Sequence, residues 1–238
     1  MPEQEKTLME SEAKLNPARL VAAVLVIPLV IWGFFALAGR WDWPAGWVYV
    51  GLMLAGNTLQ SLYLWRKNPG LLARRARWGQ GTKNWDIACL AFFGIFYLGL
   101  MVVGALDGGR FHWSAMPAWL LFPGVVLLVF SHFLMGWSMG ENPYFEKSVR
   151  IQTDCGHQVV DTGPYSVIRH PGYLATILGF ILAHPLILGS WWSFVPALFA
   201  AGTIILRTYL EDRMLQQELP GYEKYAQQTS FRLLPGVW

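Results

Sequence analysis

The sequence predicts an all-α fold, a polytopic membrane helical bundle of about six spans. Hydrophobic residues make up 54% of the 238 residues and charged residues only 14%, whereas about a quarter of the residues are charged in an ordinary soluble domain. The mean hydropathy is +0.35, and several apolar runs approach the length of about 20 residues that crosses a bilayer as a helix. These observations exclude an ordinary soluble domain.

Four apolar runs form the first part of the predicted bundle. They cover residues 20–38, 45–65, 87–106 and 118–139. Residues 1–16 are polar and carry both signs of charge, so we expect a cytosolic N-terminal segment rather than a cleaved signal peptide. We assign residues 17–140 to a four-span membrane scaffold.

Two further runs, residues 173–188 and 191–210, complete the bundle. Only Gly189 and Ser190 separate them, so we expect a tight antiparallel hairpin. Residues 141–170 before the hairpin are polar, and a polar tail with several tyrosines follows it. The part of the chain from 141 to 238 is therefore predicted to carry the chemistry, as a loop, the hairpin and a cytosolic tail.

Lysine and arginine are distributed unevenly between the predicted loops. With a cytosolic N-terminus and six spans, all of them except Arg40 and Arg110 lie on the inner side. This asymmetry is typical of the positive-inside rule and favours an even number of spans. Both termini and the GPYSVIRHPGY stretch (163–173) then face the cytosol. The basic stretch RKNPGLLARRARWGQGTK (66–83) is interpreted as a topology anchor that also attracts anionic lipid head groups.

Several ionisable residues gather at the cytosolic end of the predicted hairpin. Arg169 and His170 precede Pro171, which suits the first position of a helix because proline has no N–H to satisfy there. Arg207 and Glu211 lie four positions apart on the returning helix and project from one face. The helix N-terminus at Pro171 adds partial positive charge that suits an anionic ligand group. Clustered ionisable residues at membrane depth are typical of a functional site.

Each member of this cluster also has a purely structural interpretation. Arg169 could extend to the lipid head groups, and His170 could simply cap the helix. Arg207 and Glu211 could form an ordinary surface pair, which contributes only a few tenths of a kcal/mol. The sequence alone leaves these alternatives open.

Two other histidines and the two cysteines do not belong to such a cluster. His132 lies within the fourth run and His184 near the end of the fifth, and we interpret both as packing or interface residues. Cys89 and Cys155 offer no spacing for a disulfide framework or a metal site. We expect no metal, no redox chemistry and no nucleic-acid partner.

Three stretches resemble the isoprenylcysteine carboxyl methyltransferase family and its prokaryotic relatives. They are HQVVDTGPYSVIRHPGY (157–173), RTYLEDRML (207–215) and PGYEKYAQQTSFRLLP (220–235). The resemblance extends over residues 141–238. It implies a multi-pass membrane enzyme that takes S-adenosylmethionine from the cytosolic side and methylates a lipophilic acceptor reached from the bilayer. No G-x-G-x-x-G follows a strand pattern, so the soluble type of nucleotide site is not expected.

The resemblance also implies individual roles. Glu211 is expected to contact the cofactor and Arg207 to orient the acceptor, and these two are the implied catalytic residues. The implied cofactor-binding residues are His157, Gln158, Val159, Val160, Tyr165, His170, Pro171, Gly172, Tyr173 and Glu211. The role of Asp212 is left open because family members often have glutamate there, and Gln152 aligns less firmly.

The acceptor is the part of the function that the sequence leaves most open. The resemblance favours a carboxylate of isoprenylcysteine type. A phospholipid amine or a small thiol is an alternative, and an NADPH-dependent enzyme like the sterol reductases is a more remote one. A non-enzymatic membrane protein with a structural polar cluster is a further alternative. The expected partners are the lipophilic acceptor and membrane lipids.

Overall fold

The computed structural model describes residues 17–75 and 81–238, and this part of the chain contains helices and irregular segments but no strand. The predicted N-terminal segment 1–16 lies outside the described residues. The helices are α1 (Pro17–Ala38), α2 (Pro44–Lys67), α3 (Pro69–Arg75), α4 (Asn84–Phe111), α5 (Ala118–Glu141), α6 (Pro171–Leu188), α7 (Phe194–Glu218) and α8 (Tyr222–Gln228). The all-α prediction is confirmed for this part of the chain.

Four of these helices, α4 to α7, are long and apolar enough to cross a membrane. α1 and α2 are helical where spans were expected, but among the described residues α1 contributes only the shorter apolar stretch Leu25–Ala38. α2 is 24 residues long, and polar side chains such as Asn57 and Gln60 interrupt its apolar character. Four membrane-length apolar helices are therefore established, and a total of six spans stays a prediction.

Two of the long helices contain π-helical segments. α4 ends in a π-helical turn at Ala105–Phe111, and the middle of α6 is π-helical at Thr176–Ala183. α4 packs along α7, while α5 packs along both α6 and α2. Buried residues of α1, α2, α5 and α6 form the largest apolar core cluster.

The turn between α6 and α7 is longer than the sequence indicated. α6 ends at Leu188, Gly189 has φ +71°, and α7 begins only at Phe194. The backbone N–H of Trp191 donates to Ser114 Oγ and that of Ser193 to Ser190 Oγ. These bonds hold residues 191–193 outside the helix, so the expected two-residue connection is wrong and the turn has five residues, 189–193.

A buried carboxylate ties this turn to the end of α4. Asp107 is fully buried and accepts hydrogen bonds from the Ser114 N–H (2.8 Å), the Ser114 hydroxyl (2.6 Å) and the Ser190 hydroxyl (2.6 Å). A buried charge is tolerated only when it is well hydrogen-bonded. The network therefore fixes α4 against the end of the α6–α7 hairpin opposite to Pro171.

Close packing at the same place yields a stability prediction. A Cβ atom at Gly108 would overlap the backbone carbonyl oxygen of Leu188, so Gly108→Ala should lower stability by about 1–3 kcal/mol, the usual cost of overpacking. Gly94→Ala in the same helix is the control, because a Cβ there meets nothing within 4 Å. The unfolding midpoint of both variants in detergent checks this. Equal midpoints would show that α4 and α6 do not approach as described.

Candidate active site

A cavity of about 450 Å³ opens between the N-terminal end of α6, the C-terminal half of α7 and the segment 142–170. Its volume falls within the range of about 300–1,000 Å³ that is usual for small-molecule sites. Leu90 of α4 and Met135 of α5 extend the wall into the membrane-length helices, and Tyr222 and Tyr225 of α8 close another side. The cavity is therefore bounded by both polar loop residues and apolar residues of the bundle.

Every residue for which the sequence implied a site role lines this cavity. The set is His157, Gln158, Val159, Val160, Tyr165, His170, Pro171, Gly172, Tyr173, Arg207 and Glu211. They come from an irregular loop, the start of α6 and one face of α7. The structure thus brings the predicted residues together, while their individual roles stay predictions.

The start of α6 has the expected backbone and an unexpected side-chain arrangement. His170 precedes the helix with φ −127°, and Pro171 occupies its first turn. The His170 ring makes no capping hydrogen bond, so the simple cap interpretation is wrong. The ring instead stacks on Tyr173, with centroids 5.6 Å apart, and its Nε2 lies 3.4 Å from an Asp212 oxygen. His170 therefore belongs to the polar network behind the cavity.

Asp212 is the centre of that network, a role that the sequence left open. Its carboxylate is fully buried. Arg169 donates to both oxygens, at 2.7 and 3.1 Å, and Arg232 donates to one at 2.8 Å. Gln216 and the Tyr222 hydroxyl add bonds of 2.8 and 3.1 Å. One carboxylate thus joins the start of α6 to α7, α8 and the C-terminal tail.

Arg169 does not extend to lipid head groups, so that interpretation is wrong. Its side chain is buried, and its Nη1 donates to three carbonyl oxygens at the end of α8, those of Ala226, Thr229 and Ser230. Its backbone N–H donates to the carbonyl of Phe231 at 3.0 Å. The sequence left the two interpretations of Arg169 open because its partners follow it by 43 to 62 positions, beyond the reach of any local pattern.

Arg207 and Glu211 share a face of α7, but they are not a surface pair. Arg207 is buried and bonds Asp86 at the start of α4, with Nε to Oδ1 at 2.6 Å, and its Nη2 donates to the Lys147 carbonyl at 2.7 Å. Asp86 is fully buried and also accepts the Val149 N–H at 2.8 Å. The surface-pair interpretation is therefore wrong, and Asp86 is a partner that the sequence analysis missed.

Tyr173 connects the two predicted catalytic residues. The Arg207 guanidinium lies over its ring, 5.2 Å from the centroid. Its hydroxyl donates a hydrogen bond to Glu211 Oε2. Glu211 thus keeps a carboxylate in the cavity wall with one bond from a tyrosine, whereas Arg207 is fixed between α4, the 142–170 segment and α6. The two side chains have different environments and are suited to different tasks.

The loop side of the cavity is held by its own ion pairs. Arg150 bonds Glu146 through two nitrogens, at 2.8 and 2.9 Å, and Asp154 at 2.6 Å. Gln152 is buried, and its Nε2 donates to the Tyr144 carbonyl at 2.7 Å. Its Oε1 is also buried and has no hydrogen-bond partner within the described part of the chain. Such an acceptor is costly to leave unpaired and fits a donor group of a bound molecule.

His157 lies in this loop against the Tyr144 ring, with centroids 4.5 Å apart. Burial, and secondarily the Arg150 cation, lower the pKa of His157 below its usual value. The folded state therefore binds this proton less readily than the unfolded chain, so stability should fall as pH drops below about 6.5. One such proton contributes at most about 1.4 kcal/mol per pH unit.

The measurement is the unfolding midpoint in detergent between pH 7.5 and 5.5. His157→Gln should flatten the acidic decline. His112→Asn, at an exposed histidine, is the matched control and should leave the decline unchanged. An identical decline in the two variants would contradict a partly buried His157 with a lowered pKa.

The other candidate ligands lie away from the cavity. His184 is fully buried among aromatic rings, with Tyr49 at 4.7 Å, Tyr97 at 5.5 Å and Phe180 at 5.8 Å between centroids. The packing interpretation of His184 is confirmed, and His132 packs near the same Phe180 ring at 6.3 Å. Both cysteines are unpaired. In residues 17–75 and 81–238 no group of three or more His, Cys, Asp or Glu is arranged to hold a metal ion.

Comparison with known proteins matches part of this chain to one family. Residues 124–217 match the model of a family described as the isoprenylcysteine carboxyl methyltransferase (ICMT) family. A search of curated proteins gave no significant match. The matched segment contains most of α5, the 142–170 loop, α6 and nearly all of α7. Over residues 124–217 the chain therefore matches the isoprenylcysteine carboxyl methyltransferase family, which confirms the resemblance for the stretches 157–173 and 207–215, while the stretch 220–235 lies outside the match.

Proposed function

We propose that this chain is an integral membrane methyltransferase that transfers a methyl group from S-adenosylmethionine to a lipophilic acceptor, a carboxylate of isoprenylcysteine type. The membrane-length helices and the family match together support an integral membrane methyltransferase. The observation that carries the finer proposal is that all eleven residues implied by the resemblance line one cavity. Those residues come from three separate segments, so their meeting in one cavity supports a shared role.

The cavity's own groups fit the proposed cofactor. Glu211 presents a carboxylate suited to the ammonium or ribose hydroxyls. The buried Oε1 of Gln152, which has no hydrogen-bond partner among the described residues, fits an amino group. His170 and the first turn of α6 suit an aminoacyl carboxylate, because a helix N-terminus carries partial positive charge. The hydrogen-bonding groups of the cavity therefore match those of a nucleoside that carries both an ammonium and a carboxylate group.

The residues around the cavity would act mainly by positioning. When bound, S-adenosylmethionine supplies a methyl group on a sulfonium that leaves as a neutral thioether, so a carboxylate acceptor needs no general base. Holding the reactants in line is the main contribution left to the protein, and it can be worth about 7–11 kcal/mol. Arg207 is rigidly fixed by Asp86 and Lys147, which suits it to orient an anionic acceptor.

The apolar part of the wall supports a lipophilic acceptor. Leu90 of α4 and Met135 of α5 line the cavity from within the membrane-length helices. We infer that the acceptor's apolar chain enters from the bilayer between these helices. An amine acceptor would instead need a base, for which Glu211 is the available carboxylate.

Calorimetry on the purified protein in detergent tests the choice of cofactor. We expect S-adenosylmethionine to bind and NADPH not to bind. Glu211→Gln should weaken S-adenosylmethionine binding by about 1.5–3 kcal/mol, because a hydrogen bond to a charged group is lost. Glu218→Gln, on the same helix but in an exposed pair with Lys83, is the control. Binding of NADPH alone would refute the proposal in favour of a reductase.

We also propose six spans, with both termini and the cavity on the cytosolic side, as the distribution of basic residues indicates. In a Cys155→Ser background, a cysteine replacing the exposed Gln227 should react with an impermeant maleimide only from the cytosolic side. A cysteine replacing the exposed Ala115 should react only from outside. Reaction of both from one face would contradict this topology, since α8 and the α4–α5 connection would then share a side.

A further inference from the structure

Arg75, the last residue of α3, is a cation in the cavity wall to which neither the sequence nor the proposed reaction assigns a role. It belongs to the basic stretch interpreted as a topology anchor, yet it lines the cavity. Its guanidinium lies over the Phe145 ring at 5.4 Å, and its Nη1 donates to the Phe145 carbonyl at 2.9 Å. The side chain is therefore held in place at the cavity rather than extended toward solvent.

The other arginines of the wall have carboxylate partners, whereas Arg75 has none among the residues that the structure describes. Arg150 pairs with Glu146, Arg169 with Asp212 and Arg207 with Asp86. Within residues 17–75 and 81–238, no carboxylate forms an ion pair with Arg75. Burial and the neighbouring Arg207 cation lower the pKa of Arg75 more than Glu146 raises it. Arg75 and Arg207 thus both line the cavity, and of the two only Arg207 has a carboxylate partner among the described residues.

Arg75 also lies where the cavity meets the apolar helices. Phe145, beneath its guanidinium, packs together with Met135 against Leu71 and Met139. Met135 is one of the residues that line the cavity from within a membrane-length helix. The charge of Arg75 therefore borders the apolar part of the cavity, and the residues predicted to hold the cofactor lie mainly on the loop and at the start of α6.

We propose that Arg75 binds an anionic head group, a carboxylate or a phosphate, of the lipophilic acceptor, beside Arg207. An anion there would pair with a guanidinium that has no carboxylate partner among the described residues, and it would form charge-assisted hydrogen bonds with a planar guanidinium fork. The inference rests on the proposed function for the identity of the site. It assigns recognition of the acceptor to α3, outside the segment that matches the methyltransferase family.

The test is calorimetric binding in detergent with S-adenosylhomocysteine present to prevent turnover. The ligands are an S-prenylated N-acetylcysteine, its neutral carboxamide, a prenyl monophosphate and phosphatidic acid. The variants are Arg75→Gln, Arg75→Lys and, as the matched control, Arg74→Gln. Arg74 is the adjacent arginine, which donates to the Pro143 carbonyl and does not line the cavity.

We expect Arg75→Gln to weaken binding of the preferred anionic ligand about tenfold or more, roughly 1.4 kcal/mol, and to leave the carboxamide within about twofold. Arg75→Lys should restore part of the loss because the charge returns without the fork. Arg74→Gln should bind like the unaltered protein. The ligand whose affinity depends on Arg75 identifies the source of the anion: the carboxylate, the prenyl phosphate or the phospholipid.

Three results would overturn the inference. If Arg75→Gln weakens binding of the carboxylate and of the carboxamide equally, the effect arises from packing and not from charge. If Arg74→Gln weakens binding of the anion as much as Arg75→Gln does, the effect arises from the general positive charge of the surface. Weaker S-adenosylhomocysteine binding in Arg75→Gln would move the residue to the cofactor. Failure of the proposed function is recognised separately, since the unaltered protein would then bind no S-adenosylhomocysteine at all.

Discussion

Replacing Asp212 with alanine should lower the stability of the protein by about 3–5 kcal/mol, the usual cost of removing one partner from a buried ion pair. The change would leave Arg169 without its carboxylate inside the protein and would release Arg232, Gln216 and Tyr222 from their shared partner. Thermal unfolding in detergent measures this. The start of α6, α8 and the tail should become accessible to protease first, since this carboxylate joins them.

Glu218→Gln is the control for Asp212→Ala. Glu218 lies on the same helix and pairs with Lys83 at 2.8 Å, but both side chains are substantially exposed. Exposed pairs contribute about 0–1 kcal/mol, so this variant should unfold close to the unaltered protein. Similar midpoints for Asp212→Ala and Glu218→Gln would show that the Asp212 network is not the structural centre described.

Arg207→Ala should have the second largest effect, because Asp86 would then be a fully buried carboxylate without a cation. We expect a loss of about 3–5 kcal/mol in stability. The double variant Asp86→Asn/Arg207→Gln should recover part of it, since neither charge remains. A double-mutant cycle with Asp86→Asn and Arg207→Gln as the two single variants isolates the pair. Additive losses would contradict the Arg207–Asp86 contact.

This pair also determines how activity data for Arg207 must be interpreted. A loss of turnover in Arg207→Ala can arise from unfolding as well as from the acceptor. Arg207→Lys keeps the charge beside Asp86 and loses the planar fork, so it should remain closer to native stability. If Arg207 orients the acceptor, this variant should lower kcat with little change in S-adenosylmethionine affinity. A change in cofactor affinity alone would contradict that role.

Much of the fold was predictable because membrane helices are encoded locally. An apolar run of about 20 residues forms a helix in lipid, since the helix satisfies all backbone hydrogen bonds within a single segment. The positions of α4 to α7 therefore follow from hydropathy. Their ends do not, because Ser114 and Ser190 hold the α6–α7 turn open through contacts from distant segments.

The residues of the candidate site could be predicted from the sequence, but their long-range contacts could not. The residues of the 157–173 and 207–215 stretches could be grouped by resemblance and hairpin geometry. Arg207 and Asp86 are 121 positions apart, and Arg75 and Phe145 are 70 apart, so no periodicity reports these contacts. Asp86 carried one usable signal, a carboxylate in the first turn of an apolar helix, where a charge at membrane depth calls for a partner.

Methyl transfer itself is the most direct test of the proposed function. Purified protein in detergent is mixed with S-adenosylmethionine labelled in its methyl group and with an S-prenylated N-acetylcysteine, and the product is treated with base. We expect a labelled methyl ester that base releases as methanol, formed by the unaltered protein and strongly reduced in Glu211→Gln but not in Glu218→Gln. Label that base does not release, as on an amine or thioether, would contradict the carboxylate acceptor. A folded protein that binds no S-adenosylmethionine and labels no acceptor would contradict the proposed methyltransferase function.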